Sequence, residues 1–330
     1  MSDVARVAQV SVSTVSHVLN GTRKVDAETE RVVREAIAAI GYVPNILARS
    51  LARSTTNTIG VAVPGITNHY FTETVQAIEA ECVKHGLMML LVDTHDDPEQ
   101  EFKVVQALRE RRVDGIVLAP TSHPERKVLN YLAASKLPAV LVDRVLPDPF
   151  DQVGVENIES TATLVSHLVQ HGHRRIGFIA GAAAVPTSAE RVQGYELALA
   201  RAGIPMDPSL LRHGQSLIEP AHAVTRELLA LASPPSAIVA ANNMMTIGAV
   251  RAIRDAGLSI PQQIALVGFD DFDWADYFEP RLTVMAQPGR EIGLKAVRLL
   301  LRRMKNASAK PQVVRLTPEI RIRRSCGCAA

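Results

Sequence analysis

The chain is poor in several features that would each have marked a class of function. It has three cysteines (Cys82, Cys326, Cys328) in 330 residues. So odd and sparse a set makes no disulfide framework and fits a reducing cytosol. Aromatic residues are 4% of the total, with a single Trp, which argues against RNA recognition by base stacking. No apolar run approaches the roughly 18 residues of a membrane span. The opening MSDVAR carries an acid early and no apolar core follows it, so no secretory leader is expected. The loops GxGxxG, GxxxxGK[ST] and GxSxG are all missing. What is present is ordinary for a soluble globular protein: 47% hydrophobic and 21% charged residues, in a length that suggests two or three domains.

The formal excess of charge is only +2, and it is localised. Residues 1–57 carry seven Lys/Arg (Arg6, Arg23, Lys24, Arg31, Arg34, Arg49, Arg53) and five acids, which leaves the remainder of the chain neutral. This head reads as short helices. Val4, Ala5 and Ala8 follow Ser2, a plausible N-cap. After the turn Gln9-Val10-Ser11, residues 13–20 make a second helix with Val15, Val18 and Leu19 on one face and Ser13, Ser16 and His17 on the other. Gly21 breaks it. Asp26 can cap a third helix over roughly 27–40, and Gly41 suits a left-handed C-cap. Two helices joined by a tight turn, the second short and polar, suggest a helix-turn-helix whose second helix enters the major groove. A small bundle that binds another protein is the alternative on pattern alone. Pro44 stops the third helix, and Asn45 can cap a fourth of about nine residues, which needs packing partners to persist.

From residue 58 short apolar runs alternate with helical stretches: 59–63, 87–92, 115–119 and 138–142, then 175–180, 237–241 and 264–269, with a weaker run near 210–213. Such runs fit strands buried on both faces and joined by crossover helices. Two series of them predict an α/β core of two doubly wound parallel sheets. Ligands bind beyond the carboxyl ends of such strands, where polar residues gather: Asn68, His69 and Tyr70; Asp93; Asp143 and Arg144; Asn242 and Asn243; Asp270 and Asp271. Arg191 follows the 175–180 run. Surface loops are polar in any case, so each residue is weighed against that plain alternative.

Metal signals are weak. Asp270-Asp271-Phe272-Asp273 reads better as a loop that caps a helix or binds hydroxyls. His171-Gly172-His173 and Cys326-Gly327-Cys328 each offer two ligands at best, and structural zinc usually needs four. A plain loop and a plain tail are expected, with no metal and no cofactor.

The stretches VSVSTVSHVLNGTRKV, GYVPNILARSLA and TIGVAVPGITNHYF closely resemble bacterial regulators of the LacI/GalR family. RVDGIVLAP, LPAVLVDR, HGHRRIGFIAG, ERVQGYELAL and IALVGFDDF agree, so the resemblance spans nearly the whole chain. It implies a helix-turn-helix head (1–44), a hinge helix and linker (45–57) and a two-lobed, periplasmic-binding-protein-like core (58–330). Lobe 1 would comprise about 58–155 and 286–316, and lobe 2 about 156–285 and 317–325. It also implies a cytoplasmic homodimer on a near-palindromic double-stranded DNA operator, controlled by a small effector, a sugar or sugar derivative, bound between the lobes. By the same resemblance Val12, Ser13 and His17 read bases, while Thr14, Ser16 and Asn20 hold phosphates or the turn. Ala48 and Leu51 wedge the minor groove, with Arg49 near a phosphate. His69, Tyr70, Asp143, Thr187, Arg191, Asn242 and Asp270 match effector positions. The chain departs from the family in placing Gln9 where the turn usually has Gly. A non-Gly residue costs roughly 1–2 kcal/mol in a left-handed conformation, so a turn of different shape is expected. It also places Asn243 where Asp is usual, and Ser216 and Gly289 where aromatic rings often face the effector, which favours a compact polyhydroxylated ligand over a flat base. A sugar-binding protein or a sugar-processing enzyme would use the same core; the head argues against both.

If Leu51 is a minor-groove wedge, Leu51→Ala weakens operator binding sharply and leaves effector binding unchanged. Wild-type operator affinity in fluorescence anisotropy would remove the hinge assignment.

Overall fold

The computed structural model describes residues 1–21, 23–42, 55–122 and 125–328. The chain divides into two compact units, Met1–Thr56 and Asn57–Ala330.

The first unit is helical: α1 (Ser2–Val7), α2 (Val12–Asn20) and α3 (Ala27–Ala39). Ser2 lies inside α1 rather than capping it. In α2 the cap is Ser11, whose hydroxyl oxygen accepts from the Thr14 N–H at 3.1 Å, so the helix begins one residue earlier than its pattern suggests. Asp26 caps α3 in the same way, through the Thr29 N–H. Val4, Ala5, Ala8, Val15, Val33 and Ala36 form the small core. The turn does not change shape to suit its non-glycine residue: Gln9 takes the left-handed conformation, φ 53. The α1–α2 geometry outweighs the local cost. The expected hinge helix, with Ala48, Arg49 and Leu51, lies outside the described residues.

The second unit has two parallel sheets. β1 (Thr58–Val63), α4 (Tyr70–Lys84), β2 (Met88–Asp93), α5 (Pro98–Glu110), β3 (Gly115–Leu118), α6 (Lys127–Ser135), β4 (Ala139–Asp143) and β5 (Asp151–Val155) build lobe 1. Lobe 2 contains α7 (Ile158–Gln170), β6 (Ile176–Ala180), α8 (Pro186–Arg201), β7 (Leu211–His213), α9 (Ile218–Leu229), β8 (Ala237–Ala240), α10 (Asn243–Asp255), β9 (Ala265–Phe269) and β10 (Thr283–Ala286). The chain then returns to lobe 1 for α11 (Gly289–Lys305) and β11 (Val313–Leu316), and ends in lobe 2 with β12 (Glu319–Arg321). The strand orders are β11-β5-β4-β3-β1-β2 and β12-β10-β9-β8-β6-β7. Among the described residues, only β12 runs antiparallel to its neighbour. Each order is that of a doubly wound sheet with its switch point beside β1 or β6, and ligands bind at such points.

Each expected run forms a strand; β5, β10, β11 and β12 were not expected. β5 opens on two buried polar residues. Asp151 is fully buried and accepts from Arg303 Nε at 2.8 Å and the Gln312 N–H at 2.8 Å, while Gln152 bonds the backbone of Leu146 and Asp148. The run 87–92 is not buried on both faces: β2 is an edge strand, with Met88 63% and Leu91 38% exposed.

The helix pairs pack through glycine. A Cβ on Gly194 of α8 would collide with the Ile158 carbonyl of α7, one on Gly248 of α10 with the Ile218 carbonyl of α9, and one on Gly293 of α11 with the Thr74 carbonyl of α4. Backbone against backbone cannot yield as a side chain can, so overpacking here costs about 1–3 kcal/mol. Gly248→Ala is expected to lower stability by that amount in urea titration, and an unchanged midpoint would contradict the close approach.

Candidate functional site

The carboxyl ends of both sheets face one cavity of about 410 Å3, within the size range of small-molecule sites. Lobe 1 contributes Asn68, Tyr70, Phe71, Asp143 and Arg144; lobe 2 contributes Thr187, Ser188, Arg191, Ser216, Asn242 and Asp270; Gln287 lies on the crossing between them. Six of the seven expected effector residues therefore meet in one place. The exception is His69. Its ring packs edge-on against Trp274, with centroids 5.2 Å apart, and it lines a neighbouring pocket beside Asp271 and Asp273. His69 already has helical backbone angles at the start of α4. Tyr70 lines both spaces, whereas His69, at the N-cap position, lines only the neighbouring pocket.

The two cleft aspartates occupy matching places. Asp143 ends β4 and Asp270 follows β9, and both sit in left-handed backbone, φ 68 and φ 72. Asp tolerates that region better than most residues, and strain of this kind clusters at functional sites. Asp270 is buried, and burial pushes its carboxyl above the usual carboxylate range, against the opposing pull of the Arg191 guanidinium and the Gln287 amide. Gln287 Nε2 donates to Asp270 Oδ1 at 2.6 Å. The Tyr70 hydroxyl donates to Asp143 Oδ1 at 2.8 Å, with Gln287 Oε1 3.2 Å away as its weaker acceptor. Burial and the two carboxylates raise the Tyr70 phenol well above its ordinary value, so it stays a proton donor. Asn243 Nδ2 donates to Asn68 Oδ1 at 2.7 Å and joins the lobes directly. At this position an amide supplies the hydrogen bond with no second buried charge beside Asp270.

Arg191 is held firmly. Its Cζ lies 3.7 Å over the Phe269 ring, Nε donates to Asn157 Oδ1 at 3.0 Å, and Nη1 donates to the Ala241 carbonyl at 2.5 Å. Among the described residues Nη2 has no hydrogen-bond partner, so one arm of the fork remains for a ligand. Arg191 forms no ion pair among those residues. An interlobe salt bridge to Asp143, the plain structural alternative for this pair, is therefore not made; Asp143 has Arg144 Nε at 3.7 Å. Asn242 Oδ1 caps α10 through the Met245 N–H, and its Nδ2 donates to the Ser216 carbonyl at 3.3 Å. The Ser188 hydroxyl is buried in the lining without a protein partner. Ser188, Gln287 and Asn157 were not singled out from sequence. Gln287 and Asn157 follow β10 and β5, two of the strands not expected.

In the head, Val12 and Ser13 are exposed at the start of α2, while Thr14, Ser16, His17 and Asn20 are half-buried. Asn20 Nδ2 donates to Ser16 Oγ at 3.2 Å. An exposed valine beside serine and histidine can read a thymine methyl and base-edge acceptors. Arg6, Arg31 and Arg34 pair with acids on their own helices, whereas Arg23 and Lys24, after α2, form no ion pair among the described residues.

Residues 1–45 match the bacterial regulatory proteins of the lacI family, and 165–326 match the periplasmic binding protein-like domain. The HTH-type transcriptional repressor PurR of Mannheimia succiniciproducens is 33% identical over 98% of both chains, and that of Photobacterium profundum is 34% identical over 98% of both. The chain belongs to the LacI family. It is a DNA-binding transcriptional repressor of that family and not an enzyme. Among solved LacI-family structures, the lac repressor dimer bound to operator and the anti-inducer ONPF has a TM-score of 0.88 at 29% identity, covering 98% of both chains. The transcriptional regulator CelR–cellobiose complex has a TM-score of 0.76, also at 29% identity over 98% of both chains. No helix among the described residues is long and apolar enough to cross a membrane.

Because its folded-state pKa is raised, Asp270 contributes stability when protonated, below its unfolded value near 3.8, and loses it as pH rises through the folded value. At neutral pH its buried charge is a cost to the empty protein. Asp270→Asn keeps an acceptor for Gln287 and removes the charge. The unliganded variant is expected to be at least as stable as wild type at pH 7, with the gap closing on acidification. Effector affinity falls at least tenfold, since charged hydrogen bonds contribute about 1.5–3 kcal/mol. Thermal melts across pH, with calorimetry, check both; a less stable variant with wild-type affinity would overturn this role.

Proposed function

We propose that the protein represses transcription as a homodimer on a near-palindromic operator, with its operator affinity set by a compact polyhydroxylated effector, a sugar or sugar derivative, in the interlobe cleft. The observation that carries the effector class is the cleft's inventory. Two carboxylates accept from hydroxyls, while one arm of Arg191, the Asn242 amide and the Ser188 hydroxyl donate to or accept from oxygens. Phe71 and Tyr70 offer one apolar face from lobe 1, and none of the lining residues from lobe 2 is aromatic. A sugar needs only one such face.

A purine effector is the second reading, because relatives about a third identical bear the name PurR. Against it, Ser216 and Leu217 stand in the lobe 2 lining, so a flat base lacks a second ring to stack on. The homodimer reading rests on the open edge of lobe 1, where Val83, Met88 and Leu91 are exposed. Parallel sheets are normally covered on both faces, and contiguous apolar exposure marks interaction surfaces.

In the proposed mechanism, two recognition helices related by the dimer axis supply specific affinity. The segment 45–57, with Ala48, Arg49 and Leu51, folds against DNA, and effector shifts the lobe arrangement and with it operator affinity. Thermal-shift screening of the full chain against sugars, sugar phosphates, polyols, purines and nucleosides tests the effector class. A sugar or derivative is expected to raise Tm with dose and to change operator anisotropy. A purine that did both, with no sugar active, would replace this reading with the second.

A further inference from the structure

Away from the cleft, the end of α7 meets the C-terminal tail. His167 and His171 are four residues apart and so share one face of the helix, with ring centroids 4.5 Å apart. Cys328 Sγ lies 3.1 Å from His171 Nε2 and 3.5 Å from His167 Nε2. The three donor atoms are all within 4.8 Å of one another. In sequence, the pairs His171/His173 and Cys326/Cys328 each offered two ligands at best. The fold instead takes one residue from each pair and adds His167, which belongs to neither.

Three features suit this arrangement to a metal ion. The first is spacing: with metal–nitrogen bonds of about 2.0 Å and a metal–sulfur bond of about 2.3 Å, tetrahedral angles separate nitrogen from sulfur by roughly 3.5 Å. The observed distances are 3.1 and 3.5 Å. The second is ring orientation. His171 Nδ1 is 2.8 Å from the His167 carbonyl oxygen, which can only accept. The proton therefore sits on Nδ1, and the Nε2 lone pair faces Cys328, as in ligating histidines whose far nitrogen is held by a carbonyl. The third is anchorage. The Thr283 N–H donates to Ser325 Oγ at 2.8 Å, Ser325 Oγ donates to the Leu266 carbonyl at 2.5 Å, and the Thr283 hydroxyl donates to Cys326 Sγ at 3.2 Å. The tail is thus pinned two residues before Cys328. His171 is exposed and Cys328 half-buried, which leaves a path of entry.

We propose that His167 Nε2, His171 Nε2 and Cys328 Sγ bind one borderline-to-soft transition-metal ion such as zinc, with the fourth position open to solvent. On binding, the Cys328 S–H bond breaks, its proton passes to bulk water and the thiolate coordinates the ion; no electrons are transferred. The bound ion clips the tail to α7 within lobe 2. Without an ion, the same atoms make a thiol–imidazole hydrogen bond.

The test uses untagged full-length protein, reduced and stripped with chelator, then titrated with Co2+ and with Zn2+. A thiolate-to-cobalt charge-transfer band is expected to saturate at one equivalent per chain and to disappear when zinc is added. Competition with a chromophoric chelator is expected to show zinc affinity lowered at least tenfold by Cys328→Ser and, independently, by His171→Gln. Both are peripheral positions, and unchanged metal-free melting of either variant shows that it is folded. No band, a band retained in Cys328→Ser, or zinc affinity equal to wild type in both variants would overturn the site.

Discussion

Everything at the cleft depends on keeping one carboxylate, that of Asp270, out of water between two lobes. Burial works against its charge, and an unpaired buried charge is not tolerated. The surrounding residues answer that constraint. Gln287 donates to it from the interlobe crossing and turns its own carbonyl toward Tyr70, whose hydroxyl donates to Asp143 in lobe 1. The Asn243 N–H approaches Asp270 from α10, while the Asn243 side chain reaches Asn68 in lobe 1. One polar chain therefore connects the charge in lobe 2 to two strand ends of lobe 1, those of β1 and β4. The neutral Asn243–Asn68 bond has a net worth of about 1 kcal/mol and the bonds to the two carboxylates about 1.5–3 kcal/mol each.

The lobes themselves resist deformation. Glycine-mediated contact sets the spacing of α7–α8, α9–α10 and α4–α11 at backbone distance, and close-packed layers move as units rather than bending. The chain passes between the lobes at three crossings, after Val155, between Ala286 and Gly289, and between Leu316 and Glu319, where the proposed lobe movement would have to turn. All three are tied to the cleft. Arg191 bonds Asn157 on the first crossing; Asn157 Nδ2 donates to Glu190 at 2.7 Å, and Arg315, just before the third, pairs with Glu190 at 2.8 Å. Gln287 lies on the second. A ligand that engages Arg191 and Asp270 thereby acts on groups bonded to all three crossings.

Much of this was legible in the sequence for a topological reason. Parallel strands buried on both faces are continuous apolar runs, and the residues after them must line the cleft, so Asp143, Asn242 and Asp270 could be placed from position alone. Less was legible where buried strand positions are polar. β5 hides Asp151 and Gln152, and the run 282–286 was not read as a strand, so Asn157 and Gln287 had no strand to follow. His69 stands at the N-cap position of α4 and lines the pocket beside the cleft, a difference of one residue that the sequence pattern does not register. Gln9 shows the converse limit: a local preference worth roughly 1–2 kcal/mol gives way to the packing of α1 against α2. The meeting of α7 with the tail joins residues more than 150 positions apart and has no local signature.

The most direct measurement of the proposed coupling is reciprocal binding. Once an effector is in hand, its dissociation constant is measured by calorimetry on the free protein and on the operator-bound protein. Coupling through the lobes predicts two different constants, about fivefold apart or more, whose ratio equals the factor by which saturating effector changes operator affinity. Equal constants would mean that the cleft and the DNA-binding head do not communicate.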